Sequence, residues 1–206
     1  MGVYGDRLFP WLLDHTESRE MSLERRLALR DVRGEILEVG VGTGANIPFY
    51  PADVTRLTAV EPSEAMRRRA APRAAARGLT LDWHRGGGEH LPFEDACFDS
   101  VVLVDVLCSV DDEDAVLAEA YRVLQPGGRL HFLEHGLSDD DRVRKWQRRL
   151  NGLNVLTACG CRLTREPEKR IRASRFVVEE LVQATPLTGT GVLFPHVRGI
   201  ATRTAP

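Results

Sequence analysis

Lysine is almost missing from this chain of 206 residues: its 28 basic residues include only Lys145 and Lys169 as lysines, the rest being arginine. Charge of one sign is missing too, because 30 acids against 28 bases leave a net charge of −2. A dedicated nucleic-acid binder shows a strong basic excess, so the balance argues against nucleic acid as a partner, and it equally argues against an acidic disordered tail. No apolar run approaches the ~18 residues of a membrane span. The stretch from Leu8 to Leu13 lacks the length and flanks of a signal segment. There is no repeat with a period of about 20–50 residues and no low-complexity tract. Cysteine is scarce. Cys97 and Cys108 lie in apolar sequence and read as buried reduced thiols, while the Cys159/Cys161 pair has no second pair at zinc-ligand spacing, so no metal site is expected. These absences lead to the expectation of a water-soluble, cytoplasmic protein with reduced thiols. The length suits a single domain over residues 1–206, able to bury roughly 70% of its unfolded surface without a staple.

What is present alternates. Residues 4–30 carry Leu8 and Leu12, then Leu23 and Leu27, at helical spacing, with Pro10 starting or kinking a helix. Strands are expected at Glu35–Val39, Arg56–Val60, Leu79–His84 and Phe98–Val104, the last a continuous apolar run of the kind buried on both faces. Helices are expected at Glu64–Arg77, closed by Gly78, and at Asp111–Leu124, with acids in its first turn. Pro126-Gly127-Gly128 breaks that helix before a strand at Arg129–Glu134. Helices at Asp139–Leu156 and Pro167–Ala173 follow, then β-rich runs at Phe176–Val182 and Val192–Ala201. Alternation of this kind predicts a doubly wound α/β protein, a mostly parallel sheet with helices on both faces in three layers. The two closing runs, with no helix between them, predict an antiparallel hairpin at one edge.

The most informative segment is Ile36-Leu-Glu-Val-Gly-Val-Gly-Thr-Gly44. Glycines straight after a strand let the backbone adopt positive φ and approach a ligand at the carboxyl edge of the sheet. Gly40, Gly42 and Ala45 formally satisfy a dinucleotide fingerprint, and Glu61 lies near the distance of a ribose-binding acid. Glu38, however, sits inside the strand where a nicotinamide-binding fold wants an apolar residue, and a buried carboxylate is expensive without a partner.

The segments ILEVGVGTGANIPFY, VEPSEAM, GGGEHLPFEDACFDSVV and EAYRVLQPGGRLHFLEH occur in this order over residues 35–135. In this the sequence resembles the class I S-adenosylmethionine-dependent methyltransferases. The resemblance implies a seven-stranded sheet with its last strand antiparallel, and S-adenosyl-L-methionine as cofactor. It implies that Glu38 organises the methionine amino end, through water or directly, with Asn46 in the same cofactor-binding segment. It further implies that Gly40, Gly42 and Gly44 make room for the methionine and ribose portions, and that Glu61 accepts hydrogen bonds from the ribose hydroxyls. Pro62, Ser63 and Met66 would flank the adenosine. Many relatives place an aspartate before the Leu-Pro-Phe, where this chain reads Gly86-Gly87-Gly88, so adenine recognition falls to the amides of Gly88 and Glu89 or to the Glu89 side chain.

For the acceptor, Asp105 interrupts an apolar run and belongs at a strand mouth, His135 follows Glu134 at another strand end, and His90 follows Glu89. These three are the candidate acid–base residues. Val106-Leu-Cys-Ser-Val110, Glu134-His135, Trp146-Gln147 and Gly160–Arg165 resemble the small methyltransferases grouped with animal thiol S-methyltransferases. That implies a small, mostly apolar methyl acceptor, a thiol before a quinol or phenol, while quinone-pathway and phospholipid methyltransferases share the first half. The animal proteins carry an apolar membrane-anchoring N-terminus that this sequence does not match, and the basic residues at Arg142, Arg144, Lys145, Arg148 and Arg149 read as a solvated face, so peripheral membrane contact is not the favoured expectation. Residues 1–30, with Trp11 and Trp146, are expected to lid the site. A non-catalytic S-adenosylmethionine-binding module and an NAD-dependent oxidoreductase are the alternatives to a methyltransferase.

Overall fold

The computed structural model describes residues 18–184 and 194–204. Helix α1 (Arg19–Leu29) starts on Ser18, whose hydroxyl accepts the Met21 amide. The remaining elements are β1 (Ile36–Val39), β2 (Arg56–Val60), α2 (Glu64–Arg77), β3 (Thr80–His84), β4 (Phe98–Val104), α3 (Glu113–Val123), β5 (Leu124–His135), α4 (Asp141–Thr157), α5 (Pro167–Ala173), β6 (Val177–Gln183) and β7 (His196–Thr202). A short 3-10 turn covers Ile47–Phe49. The strands form one seven-stranded sheet in the order β3-β2-β1-β4-β5-β7-β6. The first five strands in that order are mutually parallel, and β7 runs antiparallel to both β5 and β6. The expected hairpin is thus the β6/β7 edge.

The order turns back on itself between β1 and β4, the switch point at which open sheets of this kind bind ligands. Both strands are buried on both faces, since successive side chains point to opposite layers and each layer is covered. Leu37, Val39, Val101, Leu103 and Phe132 pack in one layer with Val116 and Leu117 of α3. Ile36, Val102, Val104 and Leu133 pack in the other with Ala28 and Leu29 of α1 and Ala70 of α2.

Helix α2 has the expected limits: Ser63 caps it, and Gly78 ends it at φ 68°, a left-handed turn that favours glycine. Several other boundaries shift, and two of the shifts have a visible local cause. Helix α3 starts at Glu113 because Asp112 turns its carboxylate back to the Asp114 and Ala115 amides. Strand β5 starts at Leu124, directly after α3, so Pro126-Gly127-Gly128 lies inside the strand rather than ahead of it. The ladder accommodates it with an irregularity opposite Phe98 and Ser100. Pro10 and Trp11 lie outside the described residues.

Candidate active site

The chain leaves β1 through Gly40, Gly42 and Gly44, at φ 72°, 58° and 82°. Two of these glycines are required by close packing. A Cβ on Gly40 would lie 2.8 Å from Val106 Cγ2, and one on Gly44 would lie 2.7 Å from Ile47 Cδ1 and 3.0 Å from the Ala70 backbone. Gly42 differs. The nearest atom to a Cβ there is the Gly40 carbonyl oxygen at 3.9 Å, so the loop is open above it. Glu61, at the end of β2, faces that opening. Its carboxylate accepts the Gly42 amide at 2.9 Å and the Ser63 amide at 2.8 Å. Burial pushes the Glu61 carboxyl up, and the two amides pull it partly back. Ser63 and Met66 are buried at the start of α2, Pro62 is exposed beside them, and the Ser63 hydroxyl accepts the Met66 amide.

Glu38 is fully buried in β1. Its oxygens accept Asn46 Nδ2 at 2.7 Å and the Tyr50 hydroxyl at 2.8 Å, while burial raises its pKa to about 7. From Asn46 a chain of polar contacts crosses the carboxyl edge of the sheet. Arg25 of α1 donates to Asn46 Oδ1 at 2.8 Å and reaches Asp105 Oδ2 at 3.5 Å. Asp105 Oδ1 lies 3.0 Å from His196 Nε2, and the His196 ring packs edge-on against His135. Asp105 has φ 56°, which turns its side chain into this edge after β4. Burial alone would raise the Asp105 carboxyl, but the His196 imidazole and the Arg25 guanidinium hold it well below the usual carboxylate range.

The neighbouring part of this edge, after β4 and β5, is built around Glu134. Its two oxygens accept the amides of Val106 at 2.9 Å and Leu107 at 3.1 Å, fixing the turn after β4 against the glycine loop. Burial pushes its pKa up to about 8. His135 is buried, with Nε2 3.1 Å from Cys161 Sγ. Glu89 holds the Asp111 amide at 3.0 Å, tying the loop after β3 to that after β4. Gly88 is buried where a Cβ would strike Val39 and Val116.

The structure thus brings Glu38, Asn46, Glu61, Asp105 and His135 to one edge. It does not bring His90 there: that side chain is exposed on its loop. Trp146 is no lid in this arrangement, being 54% exposed on the outer side of α4 beside Arg149. The inward neighbour is Gln147, which bonds Gly136 and Ser138 after β5. The described part of the N-terminal region, α1, packs on the sheet and brings one side chain, Arg25, to this edge. Sequence reasoning missed Arg25, Tyr50, Glu134 and His196 as site residues. Glu134 had a local signal, an acid ending an apolar strand just as Glu38 interrupts one. Arg25 and His196 had none, because their partner Asp105 is 80 and 91 residues away.

An open sheet with a glycine loop at its switch point and paired acids at the ends of β1 and β2 defines a nucleoside-cofactor enzyme of the doubly wound class. Residues 37–132 match the family model described as a methyltransferase domain. The chain is 33% identical to the human thiol S-methyltransferase TMT1A over 173 residues, covering 82% of this chain and 70% of the relative. It is 33% identical to the rat thiol S-methyltransferase TMT1B over 211 aligned residues, covering 95% and 86%. The fold is shared with a geranyl diphosphate methyltransferase solved with S-adenosylmethionine, at a TM-score of 0.71 and 19% identity over 97% of this chain and 92% of that one. The chain belongs to the class I S-adenosylmethionine-dependent methyltransferases, which sets aside both the nicotinamide and the non-catalytic alternatives.

Proposed function

We propose that this enzyme methylates a small, mostly apolar acceptor, with a thiol preferred over a quinol or phenol. The observation that carries the reading is the reach of the likeness to the rat thiol S-methyltransferase. It spans 95% of this chain, so it includes the acceptor-side segments around Cys108, His135 and Gly160–Arg165 as well as the cofactor loop. A water-soluble, cytoplasmic setting belongs to the same reading. Among the described residues no helix is long and apolar enough to cross a membrane.

The site fits S-adenosylmethionine in two respects: the loop is open above Gly42, and two carboxylates with raised pKa values are better accommodated beside a cationic ligand. The cofactor supplies a methyl group on a sulfonium. In this reading the remaining lone pairs of Glu61 accept the ribose hydroxyls, while its bonds to Gly42 and Ser63 fix the carboxylate's orientation. Pro62, Ser63 and Met66 border the nucleoside. Glu38 holds Asn46 toward the amino-acid end, and the amides of Gly88 and Glu89 read the adenine edge. Val106 and Leu107 form an apolar wall that Glu134 fixes in place, which favours near-attack alignment of the acceptor.

The test is turnover, followed by mass spectrometry, across a panel of thiols, phenols, quinols and amines. Small alkyl and aryl thiols are expected to lead the panel. Preferential turnover of an amine or quinol, with thiols at background, would overturn the acceptor assignment.

A further inference from the structure

Cys108, His135 and Cys161 come from three separate segments: the turn after β4, the end of β5 and the stretch following α4. All three are buried, at 2%, 3% and 8% exposure. Their sulfur atoms and an imidazole nitrogen lie within 4.8 Å of one another. The backbone around them is fastened. The Cys108 carbonyl accepts the Arg162 amide at 2.8 Å, and Asn154 Nδ2 donates to the Cys161 carbonyl at 2.9 Å. Glu134, next to His135, holds the turn that leads to Cys108. His135 Nδ1 is buried with no hydrogen-bond partner among the described residues. The two thiols pack as ordinary core groups, but an imidazole nitrogen withdrawn from water without a partner is costly and calls for a ligand.

We infer that Cys108 Sγ, Cys161 Sγ and a ring nitrogen of His135 form a zinc site whose fourth position is open to a small ligand. Tetrahedral zinc, with sulfur at about 2.3 Å and nitrogen at about 2.0–2.1 Å, sets its ligand atoms about 3.5–3.8 Å apart. The present spread closes to that with side-chain movements of about 1 Å. Two thiolates balance the dication, and sulfur with imidazole selects zinc over calcium or magnesium, which take oxygen ligands. Two cysteines, one histidine and a vacant fourth position is a ligand set used by catalytic rather than structural zinc.

The consequence for catalysis rests on the thiol reading above. An acceptor thiol taking the fourth position loses its proton to solvent and binds as a thiolate. A sulfur lone pair then forms the new S–CH3 bond while the methyl–sulfonium bond breaks, that electron pair staying on the donor sulfur. The neutral thioether is a weak ligand and leaves, and the zinc is unchanged. A free thiol, with a pKa near 8.5, is only a few per cent ionised at neutral pH, so the metal does the work otherwise asked of a base.

Metal analysis of the protein purified without chelators should find one zinc per chain, and replacement by cobalt should give visible thiolate-to-cobalt charge-transfer bands. Both signals should fall at least tenfold in Cys108→Ser and Cys161→Ser, with the cobalt bands of the wild type serving as the readout if either variant fails to fold. Adding a small thiol such as 2-mercaptoethanol to the cobalt form should shift those bands. Absence of zinc and cobalt from wild-type protein whose thiols are reduced would overturn the site, as would a Cys108–Cys161 disulfide in the freshly isolated protein. Bound metal with no thiol turnover would leave the site standing and remove the thiol acceptor instead.

Discussion

Glu38 within β1 and Glu61 just after β2 are both acids beside the glycine loop, but the fold holds them differently. Glu38 is buried among side-chain donors, and its folded pKa of about 7 lies above the ordinary 4.5. The proton it retains favours the folded state fully below about pH 4.5, and that contribution is lost as pH rises through about 7. Glu38→Gln removes the titration. The stability of wild type relative to this variant, from urea midpoints without cofactor, is therefore expected to fall by on the order of 2 kcal/mol between pH 5 and 7.5. A constant difference would show that Glu38 stays ionised in the fold. Glu61 instead holds two backbone amides, each charge-assisted bond worth about 1.5–3 kcal/mol. Glu61→Ala is expected to weaken S-adenosylmethionine binding at least tenfold in calorimetry. Wild-type affinity in that variant would take Glu61 out of the site.

At the scale of elements, the glycine loop and α2 act as one unit. Gly44 combines φ 82° with a packing position where an added Cβ would lie 3.0 Å from Ala70, so Gly44→Ala strains the backbone and pushes the helix away. A loss of about 2 kcal/mol or more in thermal or urea unfolding is expected, together with weaker cofactor binding. Helix α4 behaves in the opposite way on its outer side. Trp146 covers nothing in the site, so Trp146→Ala is expected to change stability by no more than about 0.5 kcal/mol and to leave KM for the acceptor unchanged. A raised KM would restore the lid reading. The periodicity that predicts α4 is correct, but it carries no information on which of two adjacent residues, Trp146 or Gln147, turns inward. Size and apolarity favour the tryptophan, whereas the free carbonyl of Gly136 and amide of Ser138 take the amide side chain.

Over the whole molecule, segments distant in sequence are joined beside this edge by a largely buried ion pair rather than by chain continuity. Arg165 donates to Glu113 at 2.7 Å and to the Val110 carbonyl at 2.7 Å, clamping the stretch after α4 onto the start of α3. Glu113 is 4% exposed, so Glu113→Ala leaves the guanidinium without its counter-charge, and a loss of about 3 kcal/mol is expected from urea unfolding. A change under about 1 kcal/mol would mean that the backbone carbonyls alone hold Arg165.

The linear sequence by itself determined most elements, the three-layer plan and the glycine loop. Each of these is written in neighbouring residues: apolar runs at β1 and β4, the Ser63 and Gly78 caps of α2, and glycines between Glu38 and Glu61. The polar cluster at the carboxyl ends of β4 and β5 was decided only by tertiary structure. Placing β4 beside β5 and inserting β7 next to it sets Asp105, His135 and His196 together, and the return of the chain after α4 adds Cys161. Local periodicity reports which face of an element meets the core. It does not encode which distant strand end lies alongside, and the convergence of Arg25, Asp105, His196, Cys108 and Cys161 depends entirely on that.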